Sequence, residues 1–189
     1  MRNNIISDYS RLYGQLNEET RQHSYSVACI SESIANIIHL DPFLAFKIGY
    51  LHDVGKIYIP PRILKKNMQL NSVEREIVDL HSYFGYRLLV EAGESKDVYF
   101  PVLFHHGFNK PRLQEDPEPI TMENLKYIHL VHSVDIFDAM ARTRTYHEGF
   151  ERQEIINALA SDPMCSEEIL DVIKQNDFVV QNIDASTDL

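Results

Sequence analysis

The chain has 189 residues, 44% apolar and 24% charged, the make-up of an ordinary folded domain of about 150 residues or slightly more rather than of a disordered chain. Its net charge of −10 argues against the basic face that a sequence-independent grip on long nucleic acid needs, while leaving room for a small phosphorylated ligand in a pocket. The two cysteines, Cys29 and Cys165, form no CxxC, residues 1–8 have no apolar signal core, and no apolar run approaches the ~18 residues of a membrane span, so a soluble cytoplasmic chain without membrane contact is expected.

Helical spacing of apolar residues recurs along most of the chain, and strand-like alternation is rare. Residues 1–16 read as an N-terminal extension. Asn17 is placed to cap a helix whose first turn carries Glu18 and Glu19, with Val27, Ile30, Ile34 and Ile38 on one face. Asp41-Pro42 combines a cap with an N1 proline and starts a second helix, expected to run to Gly55. Ile57 to Pro61 reads as a loop. Ser72 opens a helix with Val73, Ile77, Leu80, Phe84 and Leu88 as its apolar stripe, stopping near Gly93. Ser95 opens a short helix that ends at His105-His106-Gly107. Pro111, Pro117 and Pro119 mark a loop over 107–121. Met122 to Arg142 is a strong helix. Two shorter ones follow at about 151–161 and 165–175, and 177–189 reads as a tail that frays. The expected architecture is a single all-α domain over 17–176.

Histidine is the compositional oddity, with nine in the chain. His52-Asp53 ends a helix, where an adjacent pair can turn toward one cation as the helix unwinds. Glu19 and His23 share a helical face at i and i+4. His81 sits within the stripe that starts at Ser72, four residues before Gly85. His105 and His106 close another helix. Asp135 lies inside an apolar stretch, where an unpaired carboxylate would cost several kcal/mol. Each of these sites alone is more often structural than functional. Together, five helix-borne positions with only nitrogen and oxygen donors imply a cation cluster inside a helical bundle.

The order His23, His52-Asp53, Asp135 resembles the signature of the HD metal-dependent phosphohydrolases. The run His52-Asp53-Val54-Gly55-Lys56-Ile57-Tyr58-Ile59-Pro60, then Ile63-Leu64-Lys65-Lys66, is similar to the HD-GYP subgroup. So are His81 with Gly85, the pair His105-His106, and Asp135 with Asp138-Ala139, Arg144 and Tyr146. The likeness spans roughly residues 19–176. It departs after His106, where the subgroup carries a glutamate and then D-G-x-G-Y-P. This chain reads Gly107-Phe108-Asn109-Lys110-Pro111-Arg112, and it has His147 where the subgroup usually has lysine or arginine.

The resemblance implies an HD-domain bundle with a central metal site. His23, His52, Asp53 and Asp135 would hold one divalent ion. Asp53 would bridge to a second, completed by His81, His105 and His106, and Glu19 matches a carboxylate that permits a third. Iron or manganese is favoured, with zinc or nickel compatible with the same donors. Asp53 and Lys56 would be catalytic. Lys56 and Arg144 would contact substrate, although Lys56 also suits a helix C-terminus and Arg144 a solvated surface. Lys110 and Arg112 are expected at the substrate for a different reason, since they stand where the subgroup carries an acidic pair and so favour capture of an anion. His132 and Asp138 read as residues that orient a ligand or simply fill the core. Tyr58, Tyr83 and Phe108 read as core aromatics or as stacking partners for a base.

The implied activity is hydrolysis of cyclic di-GMP or a related cyclic dinucleotide, with preference for cyclic di-GMP loosened by Lys110 and Arg112. The alternatives are a nucleotidase or phosphomonoesterase of the same chemistry, and a non-catalytic module that binds metal or nucleotide. A regulatory protein partner or a homodimer is compatible with any of these.

Overall fold

The computed structural model describes residues 2–66, 68–108, 119–142 and 149–181. Among the described residues the order is α1 (Arg2–Tyr13), α2 (Glu18–Ile37), α3 (Pro42–Leu51), a 3-10 turn (Val54–Tyr58), α4 (Pro61–Leu64), α5 (Ser72–Asp79), α6 (His81–Glu91), α7 (Lys96–Phe104), α8 (Met122–Ala141), α9 (Arg152–Ala160) and α10 (Glu167–Gln175), with no strand. The all-α expectation holds.

The helix starts follow from local chemistry. The Asn17 side chain accepts from Thr20 N at 2.8 Å, and Asp41 accepts from Phe43 N at 2.8 Å. Thr121 and Asn124 form a reciprocal capping box at the head of α8. The starts near 72 and 95 are likewise where expected.

Helix interruptions are where the sequence reading needs correction. α3 ends at Leu51 rather than at Gly55, and Gly55 lies inside the 3-10 turn that replaces the first part of the expected loop. The stripe from Ser72 to Leu88 is two helices that break at Leu80, so His81 opens α6 instead of lying mid-helix. Gly55 explains the first departure. A Cβ there would overlap the His81 carbonyl oxygen and crowd the Gly85 amide, so the chain passes α6 at a distance only glycine permits.

α2, α3, α7 and α8 enclose the core, where Val27, Ile34, Phe46, Tyr50, Leu51, Leu130 and Val131 are buried. α2 and α3 pack closely because Gly49 faces Ala28, whose Cα would lie 2.8 Å from a Cβ at 49. α9 and α10 pack on the outside of this layer, against α8 and α2. α1, in the segment read as an extension, joins the core. Tyr13 is fully buried, stacks on Tyr50 at 3.9 Å between ring centres and donates to Arg21 O at 2.8 Å. Burying such a side chain contributes on the order of 2 kcal/mol. At the other end, Gln181 N donates to Ser26 Oγ at 2.8 Å, so the tail is tied to α2 as far as that residue. No described helix is long and apolar enough to cross a membrane.

Candidate metal centre

Three histidines point inward for one local reason. His52 Nδ1 lies 2.7 Å from Gly49 O, His81 Nδ1 2.6 Å from Val78 O, and His105 Nδ1 2.7 Å from Val102 O. A carbonyl only accepts, so each Nδ1 carries the proton and each Nε2 presents a lone pair to the centre. His81 Nε2 and His105 Nε2 stand 3.3 Å apart, and His52 Nε2 is buried without a hydrogen-bond partner among the described residues. Buried imidazole nitrogens left in this state are what a cation would satisfy. The donor set therefore fits divalent metal.

Asp53 divides the cluster. Its Oδ2 lies 3.5 Å from His52 Nε2 and 3.9 Å from His23 Nε2, and its Oδ1 lies 3.3 Å from His81 Nε2. Asp135 Oδ1 closes the first half, 2.8 Å from His23 Nε2 and 3.8 Å from His52 Nε2. His81, His105 and His106 form the second, with their ligand atoms within 4.8 Å of one another. The His106 side chain is 38% exposed, so the second half of the centre reaches the surface on its side.

Glu19 is exposed one turn before His23 and belongs to neither group of converging donors. Lys56 Nζ sits 2.5 Å from Asp53 Oδ2. Tyr58 and Phe108 are surface aromatics, 57% and 47% exposed, and Tyr83 is half-buried. Lys110, Arg112, Arg144, Tyr146 and His147 lie outside the described residues.

Two sets of contacts fix the converging imidazoles in place. The buried Asp138 carboxylate accepts from His23 Nδ1 at 2.6 Å and from Arg142 Nε at 2.5 Å. Arg142 also donates to Gln22 O at 2.8 Å and Gln181 O at 3.1 Å, which ties the tail to the turn bearing His23. The sequence reading missed Arg142, although its i+4 spacing from Asp138 on one helix was a usable signal. His132 donates through Nδ1 to His105 O at 2.6 Å, with Asp162 Oδ1 3.1 Å from its other nitrogen.

Electrostatics separate the histidines. Burial, reinforced by Lys56 and His106, pushes His81 down to about 3, and burial with the neighbouring imidazoles holds His105 well below the ordinary value. His23 is also buried, but hydrogen bonds to Asp135 and Asp138 overcome that and raise it to about 9. Asp53 and Asp135 stay well below the usual carboxylate range despite burial, held by Lys56 and His23 respectively.

These directions give a pH profile for metal-stripped protein. His81 and His105 favour the fold fully above the unfolded value of 6.5, and that contribution is lost as pH falls, for His81 toward about 3. The contribution of His23 is complete below 6.5 and disappears as pH rises through about 9. Urea titrations should show stability falling on both sides, the acid limb steeper, at about 1.4 kcal/mol per pH unit for each proton. A flat profile between pH 4 and 6 would show that the buried imidazoles are not held neutral.

A family model for the HD domain matches residues 20–143. The chain belongs to the HD domain family. Its relatives include a cyclic di-GMP phosphodiesterase of Pseudomonas aeruginosa, 29% identical over 149 residues that cover 76% of this chain and 35% of that protein. Ribonuclease Y of Alkaliphilus metalliredigens is 29% identical over 157 residues, 82% of this chain and 27% of that one. The chain thus spans about a third of the length of these curated relatives. The crystal structure of the L. monocytogenes phosphodiesterase PgpH HD domain aligns with a TM-score of 0.65 at 21% identity, covering 87% of this chain and 93% of that one, and shows the same fold.

Proposed function

We propose that this HD domain is a metal-dependent phosphodiesterase acting on cyclic di-GMP or a related cyclic dinucleotide. The observation that carries this is Asp53, a buried carboxylate with one oxygen toward His23 and His52 and the other toward His81. His23, His52, Asp53 and Asp135 would hold one divalent ion, and Asp53, His81, His105 and His106 a second. Glu19 is the position for a third. Iron or manganese suits these donors best, with zinc and nickel as alternatives.

Bound cations would polarise a phosphoryl oxygen and lower the pKa of a water for attack. The chain's own contribution is orientation and charge. Backbone carbonyls and Asp138 fix the ligand rings, and buried helices exclude bulk water. Lys56 places a positive charge beside Asp53, where a phosphate oxygen would otherwise gather uncompensated negative charge. Arg144, Lys110 and Arg112 are assigned to substrate. The names of the relatives support a phosphodiester over a monoester, since both the cyclic di-GMP phosphodiesterase and ribonuclease Y act on that linkage. The catalytic unit is placed at 17–176, with 1–16 and 177–189 as flanking segments. The two free cysteines suit a reducing cytoplasm, and a protein partner or a second copy of the chain would supply regulation.

The test is metal analysis of protein purified without chelator, with a hydrolysis screen over cyclic dinucleotides, a linear dinucleotide and a phosphomonoester. We expect at least two metal equivalents and cyclic dinucleotide turnover that a chelator abolishes and manganese or ferrous iron restores. Full metal content without hydrolysis would make the domain a binding module, and turnover of the monoester alone would make it a nucleotidase.

A further inference from the structure

A cleft of about 200 Å³ shares Lys56 with the metal centre. One wall is the turn between α1 and α2, at Gln15 and Asn17. The other runs from the 3-10 turn to the end of α4, with Lys56 and Lys65 among Ile57, Pro61 and other apolar residues. Its charge is unlike that of the chain as a whole. The sequence carries 28 acidic residues against 18 basic ones, yet among the described residues none that lines this cleft is acidic and two are lysines.

Size and chemistry limit what such a cleft would take. Whole small-molecule pockets run to roughly 300–1,000 Å³, so this one accommodates a fragment. No aromatic face lines it, which removes the usual platform for a nucleobase. Lysine side chains among aliphatic walls suit a phosphate and its sugar, because lysine binds phosphate as a point charge; Lys56 is held by Asp53, which leaves Lys65 as the cation for this cleft. The cleft is joined to the centre through a single side chain, since Lys56 lines it and also contacts Asp53.

We propose that this cleft is an anion subsite for the second, non-reacting phosphate of a two-phosphate substrate, with Lys65 as its specificity-determining cation. This rests on the phosphodiesterase reading, and it assigns a role to the α1–α2 turn that the metal centre does not use. A substrate with one phosphate would leave the cleft empty, and a dinucleotide would span from the cations to Lys65.

The experiment compares manganese-loaded wild type, Lys65→Gln and Lys65→Arg on cyclic di-GMP and on bis-p-nitrophenyl phosphate, which has a single phosphate. Lys65 is exposed, so both variants are expected to fold. Lys65→Gln should raise KM for cyclic di-GMP about tenfold with kcat little changed, Lys65→Arg should restore it, and bis-p-nitrophenyl phosphate should be hydrolysed equally by all three. An unchanged KM for cyclic di-GMP, or an equal loss on both compounds, would overturn the subsite. Calorimetric binding of cyclic di-GMP separates the two claims. Wild type that binds it about tenfold more tightly than Lys65→Gln but hydrolyses neither compound would overturn the phosphodiesterase reading and leave the subsite standing. Wild type that does not bind it overturns the subsite.

Discussion

Asp53→Ala is expected to remove both cations and to lower phosphodiester turnover by at least about three orders of magnitude. The two halves of the centre share this one carboxylate, so no remaining donor can compensate for its loss. The fold itself should survive. Lys56 keeps part of its side chain at the surface and can turn its ammonium to water once its partner is gone, so no charge is left stranded in the interior. Circular dichroism and thermal unfolding of metal-stripped samples would then resemble those of wild type, while metal analysis and turnover would not. A variant that retains a full metal complement and unchanged turnover would refute the assignment of Asp53.

Gly55→Ala should act through packing and have the second-largest effect. The new methyl would meet backbone on two sides, the His81 carbonyl and the Gly85 amide, and neither can rotate away. Overpacking against backbone costs about 3 kcal/mol or more. In a chain of this length that lowers Tm by roughly 6–12 °C. Relief requires the 3-10 turn to move off α6, which separates Asp53 from His81, now 3.3 Å apart. Metal content should therefore fall along with stability. Gly85→Ala is the internal comparison, because its methyl would first meet the Val102 side chain at 3.0 Å, and a side chain can yield. Gly55→Ala protein with wild-type Tm and full metal would show that the close approach is not needed.

What could be read from sequence was what local chemistry decides. Asn17, Asp41 and Thr121 cap helices by contacts within a few residues, and, Glu19 apart, the histidines and carboxylates singled out on separate helices are donors that the fold brings within 4.8 Å of one another in small groups. What depends on neighbours distant in the chain was not legible. The break at Leu80 makes His81 the first residue of α6, yet the apolar stripe runs through it without interruption. Gly55 looks like a helix stop, and only the approach of α6 shows that it is a spacer. Tyr13 gives no local sign that it will stack on Tyr50, 37 positions away. The role of Lys65 needs the wall supplied by the turn between α1 and α2.

The way the imidazoles are aimed has a consequence for how this site can vary through descent. His52, His81 and His105 take their orientation from the peptide carbonyl three positions earlier, at Gly49, Val78 and Val102. Every amino acid brings that same oxygen, so substitution at those positions is neutral with respect to aim and is constrained only by packing. His23 is the exception. Its orientation comes from the Asp138 side chain, which a single codon change can delete. Drift should therefore reach the centre first through the pairing of α2 with α8. A lineage tuning its metal affinity without touching a ligand would find Asp138 and Arg142 the most accessible positions to change.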